Sequence, residues 1–292
     1  METILVLTDF SYSAFNAARY AVNLANQLHA AQVIFYHVFN PSTTDTPPPF
    51  ASEIEDAWGQ TIERLNELKT SLEGFACSGT KLTLRISQEP LSAAVKTINE
   101  ETPIGLVVMG STGNNKLKRL FVGSNTMSLS DNCPVPLLVI PPDTGFENIE
   151  RAVFVCDLQN TKQIPVHTIK SFLNQLQSKL SVLYFDEENT RSDISLKRQK
   201  ALLQLVDSIN PESSYLHGED IVDDIINFSN RNNMQLIIVI YKKQRFLQNI
   251  FHPGSTNRLA YYSHFPLLIL KPTDINIDSS ESRVDYQEEC SI

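Results

Sequence analysis

The sequence is short of cysteine and has no long apolar run, and each shortage excludes a class of protein. Its four cysteines show no CxxC or metal-type spacing, which favours free thiols in a reducing cytoplasm. No stretch reaches the roughly 18 apolar residues that a membrane span needs. The N-terminus lacks the basic and apolar regions of a signal peptide. The sequence therefore predicts a cytoplasmic protein without a membrane partner.

Positive charge is also in short supply. The formal net charge is −9, which argues against nucleic acid as a partner because phosphate binding needs a basic face. Six acidic residues and one arginine lie between Thr273 and Ile292, so this segment alone carries −5. Residues 273–292 are therefore predicted to be an acidic disordered tail.

The chain contains a repeat, which decides the predicted domain organisation. "IGLVVMG" and "PLLVI" in the first half match "MQLIIVI" and "PLLIL" in the second, each pair 130 positions apart. Upstream, "ILVLTDF" matches "AVFVCDL", which aligns Asp9 with Asp157. Two domains are predicted, at residues 1–141 and 149–271, joined by the linker "PPDTGFENI".

Within each unit, short apolar runs alternate with amphipathic segments. "TILVLTD", "QVIFYHVF", "KLTLRI", "IGLVVM" and "VPLLVI" predict five strands in the first unit. Ser11 or Ser13 can cap the first helix. The alternation predicts an α/β fold of two tandem Rossmann-like domains, each an open parallel five-stranded sheet with helices on both faces.

Glycine is scarce, with 10 in 292 residues, yet three fall in "MGSTGNNKLKRLFVGSN", which runs from Met109 to Asn125. Gly110 and Gly113 follow a predicted strand, where they can adopt positive φ and present N–H groups with no Cβ in the way. Gly123 then begins a helix whose N-terminus favours an anion. This spacing predicts a polyphosphate site at the carboxyl end of the strand.

These motifs resemble the universal stress proteins in their tandem two-domain form. "GSTG" followed after nine residues by "GSN" fits the glycine pattern of the ATP-binding members, and "TDFS", "YHVF" and "CPVPLLVIP" are similar to that family. The resemblance implies that Asp9 and Val38 hold the adenine nucleoside, while the glycines and Ser124 hold phosphates and ribose. The implied ligand is ATP or AMP, with or without Mg²⁺. The expected binding residues are Asp9, Val38, Met109, Gly110, Gly113, Gly123, Ser124 and Asn125.

Several of these residues also have roles that need no ligand. Asp9 could cap the following helix, and Ser124 could cap the helix after the glycine pattern. Asn125 stands where many family members have valine, and its amide could contact the nucleotide or cap the helix. His37 is expected to be a satisfied histidine at the end of its strand and not a catalytic base.

The second unit departs from the glycine pattern. Ile240 and Lys243 stand where Gly110 and Gly113 stand in the first unit, and Phe185 replaces Val38. We therefore expect the second unit not to bind ATP in the family's way.

Three functions remain open at this point: a nucleotide-binding stress-response regulator, an interaction or structural module with an empty pocket, and a slow ATP hydrolase. No Walker-type, GxSxG or HExxH motif is present, so no catalytic residue is predicted. The terminal strands "VPLLVI" and "FPLLIL" would be exposed on isolated domains. They are predicted to pair as an internal pseudo-dimer, and two chains could associate further. The sequence does not identify the downstream protein partner.

Overall fold

Strands and helices alternate along the chain, as the sequence predicted. The structure is a computed structural model that describes residues 1–40, 51–111, 129–130, 133–185, 193–206, 211–216, 221–241 and 264–273. The elements of the first half are β1 (Thr3–Leu7), α1 (Tyr12–Gln27), β2 (Gln32–Val38), α2 (Ala51–Glu73), β3 (Lys81–Ser87), α3 (Leu91–Glu101), β4 (Leu106–Gly110) and β5 (Leu137–Ile140).

The second half repeats this order. Its elements are β6 (Arg151–Asp157), a 3₁₀ helix (Leu158–Gln163), α4 (Val166–Leu176), β7 (Lys179–Phe185), α5 (Asp193–Val206), β8 (Glu212–Tyr215), α6 (Ile221–Arg231), β9 (Leu236–Ile240) and β10 (Leu267–Leu270). The start of the helix predicted at Gly123 and the acidic tail from residue 274 onward lie outside the described residues.

Burial explains why the apolar runs form strands. All five residues of β1 are buried, as are all four of β5, because helices cover both faces of a parallel sheet. Helix α1 buries an alanine-rich face that includes Ala17, Ala18 and Ala21. Its N-cap is Ser11, whose Oγ accepts a hydrogen bond from the backbone N–H of Ala14.

The described strands form one sheet in the order β3-β2-β1-β4-β5-β10-β9-β6-β7-β8. Every neighbouring pair is parallel except β5 and β10, which are antiparallel. Each half therefore contributes five parallel strands, and the two halves run in opposite directions. The predicted fold class is confirmed.

The antiparallel pair joins the halves through the two strands that the sequence predicted to pair. Leu138 of β5 lies opposite Leu268 of β10, and neither side chain is exposed. The pairing removes two apolar edges, leaving β3 and β8 at the edges of the described sheet.

The strand register supports the alignment of the two halves. Ile4 pairs with Leu106 in the first half, and Ala152 pairs with Leu236 in the second. The same register equates Gly110 with Ile240, because each lies opposite the last residue of its neighbouring strand. Positions in the two halves can therefore be compared residue by residue.

The segment that links the halves runs along α1 and is held there by two side chains. The Asn16 amide donates to the carbonyl oxygens of Pro141 at 3.1 Å and Thr144 at 2.9 Å. The Gln27 side chain accepts a hydrogen bond from the N–H of Ile149 at 2.9 Å and donates one to its carbonyl oxygen at 3.1 Å. Thr144 then donates its hydroxyl to the carbonyl of His264 in the second half, at 2.8 Å. One helix of the first half thus fixes the path to the second.

Among the residues that the structure describes, no helix is long and apolar enough to cross a membrane. The three described cysteines, Cys77, Cys133 and Cys156, are free thiols. Cys133 and Cys156 are buried, and burial raises the pKa of the Cys133 thiol.

Replacing both Leu138 and Leu268 by lysine is expected to abolish soluble expression. Each substitution removes a buried leucine, which alone costs about 3 kcal/mol or more, and adds a charge that the closed sheet cannot solvate. The yield in the soluble fraction measures the effect. Ile62→Lys is the control, since this side chain on α2 is 38% exposed. A soluble double variant with the wild-type urea midpoint would show that the strand pairing does not hold the halves together.

Candidate functional site

The four expected nucleotide-binding residues that the structure describes lie where β1, β2 and β4 end, at the carboxyl edge of the sheet. Leu7, the last residue of β1, pairs with Tyr36 of β2, so Asp9 and Val38 each lie two residues beyond that pair. Val6 pairs with Val108, which places the end of β4 at the same level. Because parallel strands present their carboxyl ends together, this edge is where an α/β sheet binds ligands.

The turn between β1 and α1 fixes Asp9. Its Oδ1 accepts a hydrogen bond from the backbone N–H of Ser11 at 2.9 Å, and the residue is exposed. Ser11 is the helix cap, so the expectation that Asp9 could cap α1 is wrong. The carboxylate instead bonds to the turn that precedes the helix, and it remains accessible from solvent.

Phe10 has a backbone conformation that the sequence did not predict. Its φ is 61°, in the left-handed region that a bulky residue rarely adopts. Its N–H donates to Thr8 Oγ1 at 3.1 Å, and its ring lies 4.5 Å from that of His37 and 4.1 Å from the Arg64 guanidinium. These contacts offset the strain and hold the turn beside Asp9.

His37 is a satisfied strand-end histidine, as expected. Its Nδ1 lies 2.8 Å from the carbonyl oxygen of Thr8, and this contact connects the ends of β1 and β2.

Gly110 is required for close packing and not for a positive φ. Among the described glycines none has a positive φ, so that part of the expectation is wrong at Gly110. A Cβ at Gly110 would lie 2.5 Å from the carbonyl oxygen of Ser13 and 3.0 Å from the backbone nitrogen of Ala14. The glycine therefore lets the first turn of α1 approach the end of β4.

Gly110 faces α1. At the same carboxyl edge, the other face of the sheet carries Val38, Met109 and Ser111. Side chains alternate along a strand, and Met109 packs in the cluster that contains Leu7 and Leu129, with Val38 against it. Val38 is half-buried, whereas Ser111 is 1% exposed. This face also carries Leu129, which lies just after the glycine pattern in sequence.

The second half fills the equivalent positions with larger side chains. Phe185 stands in place of Val38 and Tyr241 in place of Ser111, and both are buried in the cluster on this face. Ile240 replaces Gly110 and packs on the other face. On that face a 3₁₀ helix precedes α4, which begins only at Val166, after Pro165. Two features fit this later start of the helix: the larger side chain of Ile240 at the end of β9, and Pro165 directly before the helix.

Four expected binding residues, Gly113, Gly123, Ser124 and Asn125, lie outside the described residues, so their contacts stay predictions. Within the described ranges, no group of three or more histidine, cysteine, aspartate or glutamate side chains is placed to hold a metal ion. Asp9 is one carboxylate with one oxygen already bonded to the turn.

Sequence reasoning missed two residues of this edge. Phe10 gave no signal, because phenylalanine does not favour positive φ. Ser111 had a signal: it follows Gly110 directly, and strand alternation places it on the face of Met109.

Gly110→Ala is expected to destabilise the free protein by about 1–3 kcal/mol, the usual cost of overpacking, because the obstructing atoms belong to the backbone of α1. Urea unfolding in the absence of ligand measures it. The control is Gly59→Ala in α2, where nothing lies within 4 Å of the new methyl group and stability should rise by about 1 kcal/mol. Equal midpoints for Gly110→Ala and wild type would contradict the packing role.

Comparison with known proteins agrees with this architecture. The model of the universal stress protein family matches residues 1–141. A universal stress protein of Thermus aquaticus is 29% identical over 142 residues, covering 48% of this chain and 98% of the relative. One from Methanocaldococcus jannaschii is 27% identical over 144 residues, covering 48% of this chain and 81% of the relative.

Solved structures extend the likeness in fold to both halves. A universal stress protein from Archaeoglobus fulgidus superposes with a TM-score of 0.69 at 14% identity, covering 92% of this chain and 98% of the other. A second one, from Pseudomonas aeruginosa, gives 0.51 at 14% identity, covering 93% and 94%. Residues 1–141 thus match the universal stress protein family, and the whole chain shares the fold of these solved structures.

Proposed function

We propose that this chain is a regulatory protein that binds one adenine nucleotide, ATP or AMP, at the carboxyl edge of β1, β2 and β4. The observation that carries the proposal is the convergence of Asp9, Val38, Met109 and Gly110 at that edge. The glycine spacing in the sequence supports it, since Gly110 begins the pattern that the ATP-binding members share.

Each described residue has a part in the proposed binding. Asp9 offers a solvent-accessible carboxylate oxygen to the hydroxyl groups of a ribose, and Val38 offers a half-buried apolar surface to the base. Gly113, Gly123 and Ser124 are assigned the phosphates on the glycine pattern alone, and Asn125 a contact at the start of the helix that follows. Any Mg²⁺ would arrive with the nucleotide, because one carboxylate makes a weak metal site.

Binding is proposed for the first half only. In the second half Phe185 and Tyr241 are buried where the first half has Val38 and Ser111, so the equivalent space is filled. Lys243 also replaces the second glycine of the pattern. A buried aromatic ring is costly to displace, which disfavours a ligand at that edge.

Regulation would follow if nucleotide binding favoured one of two states of the protein. A ligand shifts such an equilibrium only by its difference in affinity for the two states. The downstream protein that would recognise the bound state is not identified by the described residues.

One observation favours a second candidate, an interaction module without a nucleotide. Gly110 has a packing reason to be glycine, because a Cβ there would lie 2.5 Å from the carbonyl oxygen of Ser13. Its presence alone therefore does not require a ligand.

The protein purified without added nucleotide is expected to release about one adenine nucleotide per chain on denaturation. Chromatography and mass spectrometry identify it. Gly113→Arg should release none, because the side chain would occupy the phosphate site. Gly145→Arg, which adds the same side chain to an exposed position in the linker, is the matched control and should release as much as wild type.

Two results would contradict the proposal. One is release of equal nucleotide by Gly113→Arg and wild type. The other is absence of any released nucleotide together with no heat of binding on titration with Mg-ATP, which would favour the interaction module.

A further inference from the structure

Ser111 carries a buried hydroxyl with no hydrogen-bond partner. The residue is 1% exposed, and among the described residues only Ser111 and Ser130 have a buried side-chain oxygen or nitrogen that lacks a partner. The backbone N–H of Ser111 is satisfied by the carbonyl of Ile140 at 2.9 Å. Buried polar groups are nearly always paired, so an unpaired one in a native protein needs an explanation, and the position of Ser111 suggests one.

The position of this hydroxyl points to the ligand site. Ser111 is the residue after β4, within the "GSTG" of the glycine pattern. Alternation places its side chain on the face of Met109 and Val38 and away from α1, where Gly110 packs. It therefore lies at the same edge and on the same face as residues of the proposed site.

The second half provides an internal comparison. Its equivalent residue is Tyr241, a buried aromatic side chain in the apolar cluster of that face. The small hydroxyl occurs in the half that has the glycine pattern and is replaced in the half that lacks it. A role in the fold common to both halves would not require serine at this position.

We propose that Ser111 is a nucleotide-binding residue whose hydroxyl donates a hydrogen bond to a phosphate oxygen, directly or through one water. This inference rests on the proposed function. A hydrogen bond to a charged phosphate is stronger than one between neutral groups, so the ligand supplies the partner that the free protein lacks.

The experiment compares Ser111→Ala with Ser130→Ala in the full chain after removal of nucleotide. Ser130 is the control because its hydroxyl is also buried and unpartnered but lies outside the glycine pattern. Thermal unfolding without ligand is expected to show both variants at least as stable as wild type, since each loses an unsatisfied group.

Calorimetric titration then separates the two residues. Ser111→Ala should weaken ATP binding by about tenfold, the loss of one hydrogen bond to a charged group. Adenosine, which has no phosphate, should bind Ser111→Ala as it binds wild type. Ser130→Ala should bind both ligands as wild type does.

Other outcomes overturn the inference in distinguishable ways. If wild type binds ATP and Ser111→Ala binds it equally well, the proposed function stands and the role of Ser111 is wrong. If Ser111→Ala unfolds at a lower temperature than wild type without ligand, the hydroxyl has a partner in the free protein. If ATP and adenosine are weakened alike, the contact is not with phosphate. If wild type binds neither ATP nor AMP, the proposed function itself fails, and the role of Ser111 with it.

Discussion

The antiparallel contact between β5 and β10 is the interaction on which the arrangement of the two halves depends. It joins two sets of five parallel strands into one sheet and buries Leu138 against Leu268. The contact would be an intermolecular one if the halves were separate chains, because each terminal strand would then be an apolar edge. On one chain it is closed by a linker that α1 holds in place through Asn16 and Gln27.

The two halves share a strand register but differ in the side chains at the carboxyl ends of their strands. The strands of both halves align residue by residue, yet Gly110 corresponds to Ile240 and Ser111 to Tyr241. The larger side chains pack into the apolar clusters on the two faces of the sheet, where burial stabilises them. The first half keeps small residues there instead. The proposed nucleotide site gives a reason for the unpaired hydroxyl of Ser111 at this edge.

The sequence predicted the elements that depend on local pattern. Apolar runs gave the strands, Ser11 was one of two candidate caps, and the repeat gave the pairing of β5 with β10. It did not predict the positive φ of Phe10, which phenylalanine rarely adopts. It also did not predict the packing of Ser13 against Gly110, because these residues belong to elements distant in sequence. The same holds for Ser111, whose lack of a partner is a property of the packed structure. The roles of Gly113, Gly123, Ser124 and Asn125 stay predictions from their spacing.

The proposed function is asymmetric: one half of a repeated chain binds a nucleotide and the other does not. Isothermal titration calorimetry of the nucleotide-free full chain with ATP tests this directly, with the protein concentration determined independently. A stoichiometry of about one ATP per chain, reduced to zero by Gly113→Arg, is the predicted result. A stoichiometry of about two ATP per chain would contradict the account, because the filled edge of the second half would then bind ATP as well. ATP binding that Gly113→Arg does not reduce would contradict it too, because the ATP would then bind outside the glycine pattern of the first half.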